Sequence, residues 1–216
     1  LHGVCKKGDI ELIKIYLNET IESEANDLTF KINKINKTAS LFKINNKQIK
    51  DFIVPRIVNH DSEEYLITSI CWIGYMNSKI KTIKFEENSS VSTICSNSFS
   101  RSNIEEIYIP QNVSKICENA FFNCSKLKKV EFPTNSNLQI IEKNAFSYSN
   151  VEKVFIPPNV SKICENAFSN CSKLKKVELP TNSNFKTIEK FTFSYSNIEE
   201  IFIPSNVSKI CENAFY

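Results

Sequence analysis

The cysteines offer this chain its widest choice of chemistry, and there are eight of them. Cys71, Cys95, Cys117, Cys164 and Cys211 each follow an isoleucine in a recurring phrase, and Cys124 and Cys171 lie in N-C-S-K-L. Cys5 stands apart near the start. A structural zinc site needs convergent pairs of the C-x-x-C kind with further Cys or His. No such pair occurs, and His2 and His60 lie outside the phrases. G-x-S-x-G, H-E-x-x-H and a Cys–His pairing by motif are also missing, so no nucleophile is marked. Only Gly3, Gly8 and Gly74 are available, which removes Gly-rich phosphate loops and the dinucleotide fingerprint. The acid pairs Glu105–Glu106 and Glu199–Glu200 recur at equivalent places and read as solvated surface. The expectation is a chain without catalysis, metal, cofactor or small-molecule substrate.

Charge narrows the partners. The net charge is +3, from 27 basic and 24 acidic residues. Lysines mostly sit beside glutamates, whereas a nucleic-acid footprint needs clustered Lys and Arg. No stretch approaches the roughly 18 apolar residues of a membrane span, so no direct membrane insertion by this segment is expected. The start, LHGVCKKGD, has neither Met nor the apolar run of a signal peptide. Together with an end inside a repeated unit, this reads as a piece of a longer protein. N-x-S/T sequons stand at Asn18, Asn36, Asn88, Asn112, Asn123, Asn159, Asn170 and Asn206. Repetition multiplies two of them into five, so they say little about compartment.

What must position these residues is a repeat. NVSKICENAF occurs unchanged at 112–121, 159–168 and 206–215, each copy 47 residues after the last. Beneath it, I-x-x-x-x-F ends at Phe99, Phe121, Phe146, Phe168, Phe193 and Phe215, with steps of 22, 25, 22, 25 and 22. Ile70–Tyr75 is a degenerate earlier member. Between these phrases comes apolar-x-x-apolar-x-apolar, in IKTIKF, IEEIYIP, LKKVEFP, VEKVFIP, LKKVELP and IEEIFIP. The alternation predicts a half-buried strand, which the following Pro ends because it has no amide proton. NVSKIC predicts a second brief strand, and ENAF a single helical turn. One such unit cannot bury its own apolar side chains, but stacked units can. Leu127, Val130 and Phe132 would then sit over their equivalents, and the six phenylalanines would form an aromatic column. The expected fold is a repeat solenoid.

The unit V-S-K-I-C-E-N-A-F-x-N-C-S-K-L-K-K-V-E-F-P resembles the BspA-like leucine-rich repeats of bacterial and protist surface antigens. The likeness covers roughly residues 28–216. It implies a right-handed coil with a parallel sheet on the concave face, and strands or single helical turns opposite. It also implies a protein-binding surface antigen or adhesin. The family's Gly after the Ile is here Cys, or Glu at Glu142 and Glu189, so this position does not need a positive φ. Residues 1–17 resemble part of an ankyrin repeat, with Ile10, Ile13 and Leu17 on one helical face. The domain expectation is therefore an ankyrin-like helical remnant or cap at 1–26, lead-in strands or cap at 27–66, and repeats at 67–216. The cell surface follows from the resemblance. A cytoplasmic scaffold follows from the ankyrin-like start and from cysteines poorly placed to pair, and a structural spacer remains a third reading.

Stacking also fixes what the cysteines can do. Neighbouring coils lie about 4.8 Å apart, so Cys117 and Cys164, two coils apart, exceed the ~7 Å Cα limit for a disulfide. Cys71, Cys95 and Cys117 fall on consecutive coils and come near bonding distance. Parallel side chains seldom suit a disulfide dihedral, so buried spacers are the leading expectation.

The three x positions of the strand face outward in rows. Row one is Lys81, Glu105, Lys128, Glu152, Lys175 and Glu199, a ladder of opposite charges that fits register and solubility as well as recognition. Row two is Thr82, Glu106, Lys129, Lys153, Lys176 and Glu200. Row three is Lys84, Tyr108, Glu131, Phe155, Glu178 and Phe202, with aromatics on alternate strands. Single exposed apolar residues are ordinary, but aromatic anchors are enriched at interfaces. The candidate partner-binding set is thus Tyr108, Phe155 and Phe202 with Glu131, Glu178, Lys128 and Lys175. The partner expected is a protein, with no nucleic acid.

Overall fold

The structure is a computed structural model and describes residues 20–25, 27–46, 48–71, 79–181 and 184–216. The ankyrin-like phrases, Cys5 and the tail of the Ile70–Tyr75 unit lie outside these residues. Among the described residues there are strands and turns and no helix. The lead-in comprises β1 (Thr20–Ala25), β2 (Leu28–Asn33), β3 (Thr38–Ile44), β4 (Asp51–Val54), β5 (Ile57–His60) and β6 (Glu63–Ile70). Thr20–Ala25 falls within the 1–26 segment read as helical, and it is a strand that pairs antiparallel with β2.

From there the chain alternates between two faces. The concave strands are β7 (Thr82–Phe85), β9 (Glu106–Tyr108), β11 (Lys129–Glu131), β13 (Lys153–Phe155), β15 (Lys176–Glu178) and β17 (Glu200–Phe202). They join β4 in one seven-stranded sheet in the order β17-β15-β13-β11-β9-β7-β4. The opposite strands are two residues long: β8 (Thr93–Ile94), β10 (Lys115–Ile116), β12 (Ile140–Ile141), β14 (Lys162–Ile163), β16 (Thr187–Ile188) and β18 (Lys209–Ile210). β8 to β14 continue the lead-in sheet through β6, and β16 pairs with β18. All pairings between coils are parallel, as stacked units require.

The core lies between the two faces. Val113, Ile116, Ala120 and Phe121 are buried from one copy of the decapeptide, and Leu127 and Val130 from the strand that follows. Phe99, Phe121, Phe146, Phe168, Phe193 and Phe215 form a column with ring centroids 5.1, 4.9, 5.1, 5.7 and 5.4 Å apart. The first five are buried, whereas Phe215 is 40% exposed because only one of its ring faces is covered. Phe132, expected over its equivalents, is only partly buried.

The ENAF turn differs from the helical turn expected, and the backbone gives the reason. Residues two before the column phenylalanine have positive φ at Asn97, Asn119, Asn144, Asn166, Phe191 and Asn213. So do residues two after it, at Arg101, Asn123, Tyr148, Asn170 and Tyr195. Two left-handed residues per coil prevent an α run and tighten the corner. Asn tolerates that conformation best among non-glycine residues, which is how the chain turns without glycine. The amides freed this way are satisfied by the next coil: Phe121 N–H donates to the Ala145 carbonyl at 2.7 Å, and Phe146 N–H to Ala167 at 2.8 Å. The Cys that replaces the family's Gly has no positive φ.

Candidate functional site

The concave sheet carries the three outward rows in the order read from the sequence. Register sets Lys129 opposite Glu106, Glu131 opposite Tyr108, Phe155 opposite Glu178 and Glu178 opposite Phe202. Tyr108 is 45% exposed, Phe155 46% and Phe202 71%, so all three turn apolar surface to solvent. Row three also runs one coil further than the repeat pattern indicated. Ile53 of β4 lies opposite Lys84 and is 57% exposed. The signal for it was present in IKDFIVP, which has the same apolar-x-x-apolar-x-apolar-Pro form. Row three thus reads Ile53, Lys84, Tyr108, Glu131, Phe155, Glu178, Phe202: apolar on every second strand, charged between.

The charges on this face are largely internal pairs. In row one Lys81 meets Glu105 at 2.8 Å and Lys175 meets Glu199 at 2.9 Å. Lys176 meets Glu178 at 2.8 Å, and Lys129 contacts Glu131, each two residues along its own strand. Lys128 is exposed and bears electrostatically on Glu105. The Lys129 ammonium, and then the Tyr108 hydroxyl, hold the Glu131 carboxyl below the usual carboxylate range. Hydrogen bonding to Glu131 in turn raises Tyr108. Lys129 also lies 5.7 Å from the Tyr108 ring centroid. Exposed pairs of this kind contribute little to stability and exchange partners readily.

Two open concavities border row three. One, of about 450 Å³, is lined by Tyr108, Glu131, Phe132, Pro110 and Pro133 at the strand ends. The other, of about 610 Å³, is lined by Lys153, Lys176, Glu178, Glu200 and Phe202.

The cysteines divide by position, and the expectation of buried spacers needs correction for one group. Cys71 and Cys95 are joined as a disulfide, with Cα atoms 5.0 Å apart. In-register stacking on consecutive coils brings them that close. Cys117, Cys164 and Cys211 are free and half-buried. Cys124 and Cys171 are fully buried, and burial pushes both thiols up to about 11. Their S–H groups donate to the carbonyls of Phe99 at 2.9 Å and Phe146 at 3.2 Å on the preceding coil. Three residues after the first five column phenylalanines stand Ser102, Cys124, Ser149, Cys171 and Ser196, a column that the repeat phrases do not mark. Ser196 Oγ repeats the bond, donating to the Phe168 carbonyl at 2.8 Å. A protonated buried thiol in this setting is a structural donor and a poor nucleophile.

The sequon asparagines of the decapeptide are structural donors as well. Asn112, Asn159 and Asn206 each give Nδ2–H to a carbonyl of the preceding coil, at Ser89 (2.9 Å), Ser136 (2.8 Å) and Phe185 (2.8 Å).

The lead-in strands assemble one contact that sequence spacing could not reveal. Ser23 Oγ lies 2.8 Å from His60 Nδ1, and His60 Nε2 lies 3.1 Å from Asp61 Oδ2. The Asp61 side chain is 67% exposed on a positive-φ turn, so this chain of contacts ties β1 to the β5–β6 turn at the water surface. Among the described residues no group of three or more His, Cys, Asp or Glu could hold a metal ion. No helix of the described residues is long and apolar enough to cross a membrane.

These features define a leucine-rich-repeat solenoid with an exposed concave sheet, a kind of scaffold that generally mediates protein–protein interaction. The model of the BspA-type leucine-rich repeat region matches residues 19–140 and 92–216, in six copies. The chain belongs to that family. A leucine-rich repeat protein from Bacteroides ovatus has 26% identity and a TM-score of 0.73 over 89% of this chain. The chain spans half of that protein's length. The leucine-rich repeat protein of T. pallidum aligns over 88% of this chain and 81% of its own, at 20% identity and a TM-score of 0.67. The pneumococcal vaccine antigen PcpA aligns over 90% of this chain and 47% of its own, at 19% identity and a TM-score of 0.58. The last two likenesses establish the fold alone. No curated protein matches the chain.

Proposed function

We propose that this chain is the binding segment of a cell-surface antigen or adhesin and docks a partner protein on its concave sheet. The observation that carries the reading is row three: Ile53, Tyr108, Phe155 and Phe202 expose apolar surface on alternate strands of one continuous sheet. Apolar groups held open to water gain from burial against a partner, and aromatic residues dominate interface energetics. Glu131, Glu178, Lys128 and Lys175 supply the polar surround. Residues 27–66 act as the cap, since β2 and β3 pair antiparallel at the end of the sheet that β6 and β8 to β14 continue. The Cys71–Cys95 disulfide supports an oxidising compartment, and with it the surface reading over an intracellular scaffold.

Immobilised wild-type chain and the Phe155→Ala/Phe202→Ala variant, matched for thermal midpoint, test the docking face against cell and matrix extracts. The expected result is a set of proteins retained by wild type and lost from the variant. Identical retention by both contradicts the reading.

A further inference from the structure

The spacing of row three selects the shape of what lies on it. The apolar residues Ile53, Tyr108, Phe155 and Phe202 occupy β4, β9, β13 and β17, every second strand of the sheet. With strands about 4.7–4.9 Å apart, successive anchors are about 9.4–9.8 Å apart. An occupant touching all of them runs across the strands, so it has no sheet edge to pair with. It must present one apolar group per step of that length.

Three backbone forms can be compared. An extended β segment repeats its face every ~6.6–6.8 Å, which falls out of phase after one anchor. An α-helix returns to the same face after seven residues, about 10.5 Å, and has drifted by about 2–3 Å at the fourth anchor. A polyproline II helix has three residues per turn and rises about 3.1 Å per residue, giving ~9.3 Å per step. Its drift over the same three steps is about 0.3–1.5 Å, within what flexible rings absorb. Its backbone has no internal hydrogen bonds and stays solvated, so it loses nothing by lying across strands. Proline rings packed on aromatic faces are a general way to hold that helix.

Charge sets the residues between the prolines. Glu131 fills the gap between Tyr108 and Phe155 and Glu178 the gap between Phe155 and Phe202, whereas Lys84 fills the gap between Ile53 and Tyr108. Each carboxylate is paired with an exposed lysine of its own strand, which a ligand cation can displace. We infer that row three binds a proline-rich polyproline II segment with a proline at every third position and Arg or Lys between the prolines that face Tyr108, Phe155 and Phe202. This rests on the docking face proposed above and names its occupant.

The test uses fluorescence anisotropy with the purified chain and labelled peptides of four Pro-Pro-Arg, four Pro-Pro-Glu or four Ala-Ala-Arg triplets. The expected result is binding of the Pro-Pro-Arg peptide at least tenfold tighter than either control. Phe155→Ala/Phe202→Ala should weaken it at least tenfold, and Glu131→Gln/Glu178→Gln should bring the Arg and Glu peptides within about threefold. If the Ala-Ala-Arg peptide binds equally well and the phenylalanine variant weakens both, the face docks peptides but the polyproline II assignment is overturned. No binding of the Pro-Pro-Arg peptide by wild type overturns that assignment too, while extract retention still judges the docking face. Binding indifferent to the phenylalanine variant overturns both.

Discussion

Glu131 lies directly opposite Tyr108 on the neighbouring strand, and its carboxylate takes the Tyr108 hydroxyl as a hydrogen-bond partner while Lys129 holds it from its own strand. The three side chains link an aromatic anchor to the charged residue of the next gap.

The coupling is measurable by titration. Glu131 has a depressed folded pKa, so its share of stability is present above the ordinary value of 4.5 and is lost as pH falls below it. Tyr108 is raised above 10.0, so its share is present below that value and lost as pH climbs past it. Glu131→Gln should return Tyr108 toward its ordinary value, read from the Tyr108 ring signals by NMR. An unchanged Tyr108 titration contradicts the coupling.

The phenylalanine column should dominate stability. Phe146 is fully buried between Phe121 and Phe168, with centroids 4.9 and 5.1 Å away. Phe146→Ala should cost about 3–5 kcal/mol in denaturant unfolding. Phe215→Ala, at a position 40% exposed, should cost well under half as much. Equal costs would show that the column does not act as a stacked core.

Corner geometry gives a sharper contrast. Asn119 sits at φ 56°. Asn119→Ala should lose about 1–2 kcal/mol, while Asn119→Gly should stay within about 0.5 kcal/mol of wild type. Equal unfolding midpoints for the two variants would mean the left-handed turn is not what the asparagine provides.

Thiol mapping separates the cysteine classes. Cys124 and Cys171, buried and with thiols raised to about 11, should resist alkylation in the native chain at neutral pH. Half-buried Cys117, Cys164 and Cys211 should react within the same exposure, and Cys71 with Cys95 only after reduction. Peptide mass spectrometry after timed alkylation reads each site.

Much of this was legible in the residues because the repeat forces equivalent residues into equivalent places. The decapeptide's Val113, Ile116, Ala120 and Phe121 could only be core once the 22- and 25-residue steps were seen, and the rows followed from the strand alternation. What escaped depends on backbone or on long-range contact. Helical spacing in ENAF hid the left-handed pair at Asn119 and Asn123, because φ is not written in hydrophobic pattern. The Cys124–Cys171–Ser196 series is masked by residues of different hydropathy sharing one hydrogen-bond role. Ile53 is hard to read from the sequence because its unit lies among lead-in strands that break the period. The Cys71–Cys95 bond depended on how closely consecutive coils approach.

The claim that the concave row receives a partner is tested most directly by site-specific photo-crosslinking. A benzophenone amino acid replaces Phe155 on the concave sheet or, separately, Lys162 on the opposite strand β14. The chain is then irradiated in the extract from which partners are retained. Adducts of defined mass at position 155 and none at 162 are predicted. Adducts at 162 with none at 155 would place recognition on the other face and contradict the account.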